Sequence, residues 1–399
     1  MKRRRFFEAL TAALLAVLIA AVPAAPAMAQ GNSGKNKDDS GGDEATTPPP
    51  FTYLIRFEED FEVRNFNDNA DMLGYIPIDG VEKYVGGNFA VIYDGQFYVL
   101  DEFFVGTDSV PRQAFDLSER DENGSVYICG SCDTLEGIRG FRMQVTPTDY
   151  GLVQTAFSVL PPADGDTRSV FQSVNSNGEA VGYSDAGISA ESAILFQSDE
   201  LGTITIADTW VDRVSMRVSE FGEVLAIVAD EASSWTPAAG LLPLPNAQDV
   251  VFIGSSNDLG EFLGEIEVVT TSKKGTVSTE RVQIFYDGSV TVVEEQYRFS
   301  EVNNNLDRFG SYWASGKGNK PGRMVGELYL VDEDTVFEVD NMIDESNSAT
   351  DVERWFSIDD GIHYRGGLGS TGLLAGYFLY TDTNGLSRRA TVVLTPVLP

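Results

Sequence analysis

Phe171-Gln-Ser-Val174-Asn175-Ser-Asn-Gly178-Glu-Ala-Val181-Gly182-Tyr183 decides the fold. An apolar run ends at Val174, four polar residues follow, and small and branched side chains resume up to Gly182. Asparagine tolerates the left-handed region and glycine enters it freely, so Asn-x-x-Gly reverses the chain. The closing Gly182 lets a neighbouring backbone come close. The stretch is therefore a β-hairpin. It returns as Val63-Arg-Asn-Phe66-Asn67-Asp-Asn-Ala70-Asp-Met-Leu73-Gly74-Tyr75. Phe299, Val302, Asn303, Phe309 and Gly310 repeat it at the same spacing, as do Ile253, Asn257, Gly260, Leu263 and Gly264. Shorter copies centre on Gly124, Gly222 and Gly372, the last continuing through Gly376.

A second hairpin follows each first one. Ala90-Val-Ile-Tyr-Asp94-Gly95-Gln-Phe-Tyr-Val-Leu100 and Val282-Gln-Ile-Phe-Tyr-Asp287-Gly288-Ser-Val-Thr-Val-Val293 carry Asp-Gly between apolar runs, a strong hairpin signal. The turn anchors fall at residues 70, 124, 178, 222, 260, 306 and 372. Four short strands about every 50 residues is the period of a propeller blade. The expectation is an all-β, seven-bladed β-propeller over 51–399, with six or eight blades left open. Ring closure is expected from Thr52–Phe57 pairing beside Ala390–Leu394.

The segment before the repeats has a different texture. Lys2, Arg3, Arg4 and Arg5 precede an apolar run over Leu10–Val22, and Ala27-Met28-Ala29 supplies a small-x-small cleavage site. Residues 1–29 read as a signal peptide cleaved near Ala29, which implies a secreted or periplasmic protein. Residues 30–50 are Gly-, Asp- and Pro-rich and almost free of apolar side chains, as in a disordered linker. No later apolar stretch reaches membrane-spanning length.

The charge excludes some partners. With 28 Lys+Arg against 61 Asp+Glu the formal net charge is −33, which repels nucleic acid and anionic lipid surfaces. The chain has one histidine, His363, and no Gly-x-Ser-x-Gly elbow, so no catalytic residue is predicted.

The hairpin signature and the Ala-apolar-apolar-aromatic strand after it resemble the HAF-repeat extracellular proteins of bacteria. Ala90, Ala193 and Ala390 match the second position of that family's His-Ala-Phe, but its histidine is absent here. Leu394-Thr395-Pro396-Val397 matches its closing strand. The resemblance implies export and a propeller-like fold, and no particular reaction.

Few other residues stand out. Cys129-Gly-Ser-Cys132 is the only cysteine pair; in an exported chain it is expected to form a disulfide stapling a hairpin loop. Asp332, Glu333 and Asp334 are candidate Ca²⁺ ligands, and Glu119-x-Asp121-x-Asn123-Gly124 comes nearest to a spaced calcium loop. No cofactor other than this Ca²⁺ is expected. Trp313 and the basic stretch with Lys317, Lys320 and Arg323 are candidate contacts to an anionic glycan. Two functions follow as expectations: a non-enzymatic exported module binding a protein or glycan, or a carbohydrate-active enzyme with carboxylates at the propeller mouth.

Overall fold

A computed structural model describes residues 49–59, 61–76, 89–186, 191–271, 277–294, 299–314, 323–343, 368–381 and 387–397. The signal and most of the linker, His363, Lys317 and Lys320 lie outside these residues, as do the side chains of Trp313 and Arg323. Among the described residues no helix is long and apolar enough to cross a membrane.

The strands form seven antiparallel sheets arranged as a seven-bladed β-propeller. Strand β1 (Thr52–Glu59) comes first and belongs to the last blade. Blade I follows with β2 (Glu62–Phe66), β3 (Met72–Tyr75), β4 (Phe89–Tyr93) and β5 (Gln96–Val99). Blade II has β6 (Ser109–Leu117), β7 (Val126–Thr134), β8 (Gly137–Thr148) and β9 (Gly151–Leu160). Blade III has β10 (Arg168–Val174), β11 (Ala180–Asp185) and β12 (Glu191–Ser198), completed by the first half of β13 (Gly202–Val218). The second half of β13 is the inner strand of blade IV, with β14 (Val224–Val228), β15 (Glu231–Thr236) and β16 (Gly240–Pro243). Blade V has β17 (Val250–Ser256), β18 (Phe262–Thr271), β19 (Val277–Tyr286) and β20 (Val290–Val292). Blade VI has β21 (Phe299–Val302), β22 (Arg308–Ala314), β23 (Arg323–Leu330) and β24 (Thr335–Glu338).

Blade VII closes the ring. Its sheet runs β25 (Leu374–Thr381), β26 (Ser387–Val397), β1. The two chain ends pair antiparallel from Thr52 opposite Val397 to Glu59 opposite Ala390. The expected closure strand is thus in place, and β26 is not left as an open edge.

Seven apolar clusters fill the seven gaps between blades. One joins Val181 and Phe196 of blade III to Met216 and Trp235 of blade IV. Phe196 and Trp235 meet with ring centroids 4.8 Å apart, so Trp235 is core. Another joins Leu373, Ala375 and Val393 of blade VII to Val63 and Met72 of blade I, so the packing is continuous around the circle. Second strands β3 and β14 are covered on both faces and buried at every residue.

The repeat's turns and glycines do what their chemistry allows. The fourth turn residues Ala70, Gly124, Gly178, Gly222, Gly260, Leu306 and Gly372 all have positive φ. At Gly182 an added Cβ would lie 2.0 Å from the Val170 carbonyl oxygen, because β10 bulges against it between Phe171 and Ser173. Gly74 and Gly264 face the same close approach. Asp94 and Gly95 form the tight turn between β4 and β5.

Candidate functional site

The inner strands β2, β6, β10, β13, β17 and β21 surround a central channel of about 760 Å³. Each inner strand bulges opposite the second strand, which sets one side chain per blade at a common depth. These are Asn65, Asp116, Ser173, Arg217, Ser255 and Glu301, five of them directly after a break in register. Arg217 is the cation of this level.

The inner strands carry no ladder to one another, so these side chains bridge them. Asp116 Oδ2 accepts the Val174 amide of the next blade at 2.9 Å, and Asn65 Nδ2 donates to Asp116 Oδ1. The Val218 amide donates to Ser173 Oγ and the Val302 amide to Ser255 Oγ, each at 3.3 Å. Arg217 donates to the Gly254 carbonyl oxygen at 3.0 Å. Desolvation raises the pKa of Asp116 and Glu301, opposed by these hydrogen bonds and by the Arg217 charge.

A second level sits at the end of the ring formed by the Asn turns. The first turn residue caps its own hairpin: Asn175 Oδ1 accepts the amides of Asn177 and Glu179 at 3.1 and 2.9 Å. Its Nδ2 donates to Glu179 and across to the Ser219 carbonyl oxygen of the next blade. Asn67, Asn257 and Asn303 repeat this pattern toward Ser118, Asn303 and Gly369. Asp71, Glu179, Glu261 and Asp307, each four residues after its asparagine, receive its amide. That acidic partner recurs in the sequence directly after the turn and extends the motif by one residue.

The second turn residue points to the mouth. The Asp68 amide donates to Glu119 at 2.9 Å, the Glu220 amide to Asp258 at 2.9 Å, the Asp258 amide to Asn304 at 2.9 Å, and the Ser370 amide to Asp68 at 2.5 Å. Ser176 donates to Glu220. Four carboxylates gather at this mouth: Asp68, Glu220 and Asp258 are second turn residues, and Glu119 stands just before the blade II turn Asp121–Gly124. Burial, with added repulsion from Asp68, Glu220 and Asp258, pushes the Glu119 carboxyl up to about 8, and burial also raises Glu220. The channel as a whole is lined by six carboxylates against two guanidiniums, Arg64 and Arg217. Its field selects cationic groups.

The other expected site residues among those described do not line the channel. Cys129 and Cys132 are free thiols within β7, not a stapled loop. Three residues apart on a strand, they lie roughly 10 Å apart along it and on opposite faces, beyond disulfide reach. Cys129 packs toward blade III and Cys132 toward blade I. Asp332, Glu333 and Asp334 are successive exposed residues of the turn after β23. Tyr329 donates to Asp334 and Thr335 to the Glu333 carbonyl, and the three do not converge as ligands. Among the described residues no group of three or more metal-ligating side chains gathers. Asp121, the centre of the calcium-like stretch, accepts the amides of Asn123 and Ser125 at 2.8 Å and so caps its own turn. Trp313 and Arg323 lie on paired strands β22 and β23, near the hairpin tip away from the Asn turns. Trp313 and Arg323 therefore stand at the end of blade VI away from the carboxylate mouth, and the loop residues Lys317 and Lys320 lie outside the described residues.

No family model and no curated protein matches the chain. Solved structures do. Polysaccharide lyase Uly1 aligns with a TM-score of 0.40 and 10% identity, over 91% of this chain and 93% of that one. Dipeptidyl peptidase 4 of Porphyromonas gingivalis aligns with a TM-score of 0.39 and 8% identity, over 82% of this chain and 50% of that one. The extracellular domain of a putative one-component system from B. thetaiotaomicron gives 0.38 and 10%, over 87% and 40%. The chain thus spans half or less of the length of the last two.

Proposed function

We propose that this chain is an exported, non-enzymatic propeller of the HAF-repeat type that binds a polar partner at the carboxylate-lined end of its channel. One observation carries the reading. The deep carboxylates Asp116 and Glu301 are held by amides, hydroxyls and the Arg217 charge of neighbouring blades, so they serve ring assembly and are not free to act as an acid–base pair. The channel still has room for a ligand, and its mouth is rich in acceptors. Export rests on the basic start, apolar run and small-residue site of residues 1–29.

A second reading has its own support. Glu119 holds its proton to about pH 8 and lies close enough to Asp68, Glu220 and Asp258 to feel their charges. Carboxyls with separated titrations are how glycan-cleaving enzymes divide acid and base roles. Incubation with a panel of soluble polysaccharides, followed by assay for new reducing ends and unsaturated products, tests the choice. No product from wild type is expected. Product formed by wild type and lost in Glu119→Gln replaces the binding reading with the enzymatic one. Amino-terminal sequencing of the protein from its host's medium and periplasm should give Gln30; an uncut chain in the cytoplasm removes the export part.

A further inference from the structure

The third residue of every Asn turn is exposed at the same end of the ring: Asn69, Asn123, Asn177, Phe221, Leu259, Asn305 and Thr371. The polar ones have structural work where their bonds are seen. Asn177 Nδ2 donates to the Glu220 carbonyl oxygen of the next blade at 3.1 Å, and Asn305 Nδ2 donates to that of Ser370 at 2.8 Å. Blades IV and V give up this bridge. They present Phe221 and Leu259, 78% and 60% exposed. The two turns adjoin, because the Glu220 amide donates to Asp258 at 2.9 Å.

Scattered exposed apolar residues are ordinary on a protein surface. These two differ because they fill equivalent positions in adjacent blades where the repeat otherwise places polar groups. Each follows directly on a carboxylate of the mouth, Glu220 and Asp258. An apolar step beside a negative recess is complementary to a chain that alternates apolar and positive side chains. A neutral glycan matches it poorly, since Leu259 offers no ring to stack on and neither residue offers a hydrogen bond.

We infer that the rim of blades IV and V, formed by Phe221 and Leu259 above Glu220 and Asp258, is a docking site for a basic–apolar polypeptide segment. An apolar side chain of the partner covers Phe221 and Leu259, and a lysine or arginine enters the mouth toward the carboxylates. The inference rests on the binding reading above and names its partner class.

Fluorescence anisotropy of the full chain tests it with three labelled probes. These are a pool of hexapeptides alternating Lys or Arg with Leu, Phe or Val, the same pool with Glu for the basic residues, and a pool of neutral hexasaccharides. The basic pool should bind. Phe221→Asn/Leu259→Asn, which restores the repeat's own residue, should weaken it at least tenfold while leaving the melting temperature in place. Glu220→Gln/Asp258→Asn should weaken it and reduce its salt dependence. Equal binding of the Glu pool, unchanged affinity in Phe221→Asn/Leu259→Asn, or no binding of the basic pool overturns the inference. The saccharide arm then separates the two claims: saccharide binding leaves the binding reading standing without this partner, and saccharide cleavage removes both.

Discussion

The side-chain amide of Asn175 donates to the Ser219 carbonyl oxygen of the next blade at 2.9 Å while its own carbonyl caps the turn it begins. One buried residue thus fixes a hairpin and a blade interface. Asn175→Asp keeps the acceptor, loses both donated bonds and faces the Glu179 carboxylate. At neutral pH it should cost about 2–3 kcal/mol, seen as a lower urea midpoint. Acidification should recover part of that loss, because a protonated Asp donates again, whereas Asn175→Ala should show no such recovery. A midpoint for Asn175→Asp equal to wild type at neutral pH would remove the blade-bridging role.

Ring closure makes the second prediction. Deleting residues 51–59 removes β1, exposes β26 as a free edge and uncovers Tyr53's place in the VI–VII core. The melting temperature should fall by on the order of 10 °C, and the shortened chain should aggregate on storage. An unchanged melt would mean that the circle closes without this strand.

The repeat was legible because its chemistry is local. Asn, Gly and the closing Gly impose turn and bulge geometry wherever they occur, so the seven anchors and the all-β architecture follow from spacing. The closure strand was legible because two apolar strands at opposite ends lacked partners. The cysteine pair misled because a two-residue spacing suggests a loop, whereas Val126–Thr134 is a continuous strand that sends its side chains to alternate faces. The channel levels were not legible at all. Asp116, Arg217 and Glu301 share one repeat position, next to last in the inner strand, but their unlike side chains hide it, and only the closed ring brings that position from every described inner strand to one depth. Phe221 and Leu259 are legible in the sequence as apolar departures from the polar third turn residue of the other copies.

Ala70 has φ of 61°, where five other turns place glycine. A left-handed alanine costs about 1–2 kcal/mol, and the extra chain freedom of an unfolded glycine returns roughly 0.4–1 kcal/mol of that. Ala70→Gly should therefore stabilise by up to about 1 kcal/mol in urea titration. A destabilisation would show that the Ala70 methyl, which packs against the VII–I cluster, outweighs the strain.

The thiols give a chemical check. Cys129 and Cys132 are both buried, and burial pushes the Cys132 thiol up to about 11 and Cys129 higher than usual. Native protein should resist alkylation at neutral pH, because the thiolate is the reactive form. Unfolded in guanidinium without reductant, it should take up two alkyl groups. Uptake of none until reductant is added would restore the disulfide.

The mouth should make stability depend on pH in an unusual direction. Glu119 titrates near 4.5 when unfolded and near 8 when folded. Between those values the folded state holds the extra proton, so stability falls as pH rises. The contribution is complete below the unfolded pKa and is lost as pH passes through about 8. Asp116, Glu220 and Glu301 are displaced the same way. After allowance for partial exposure, Glu119 accounts for on the order of 2–3 kcal/mol. Thermal melts from about pH 5 to pH 9 should decline by several degrees. Glu119→Gln is neutral throughout and retains an acceptor for the Asp68 amide, so its decline should be shallower. A wild-type melt that is flat or rises across this range, or an equal slope in the variant, would mean that Glu119 is ionised in the folded protein at neutral pH.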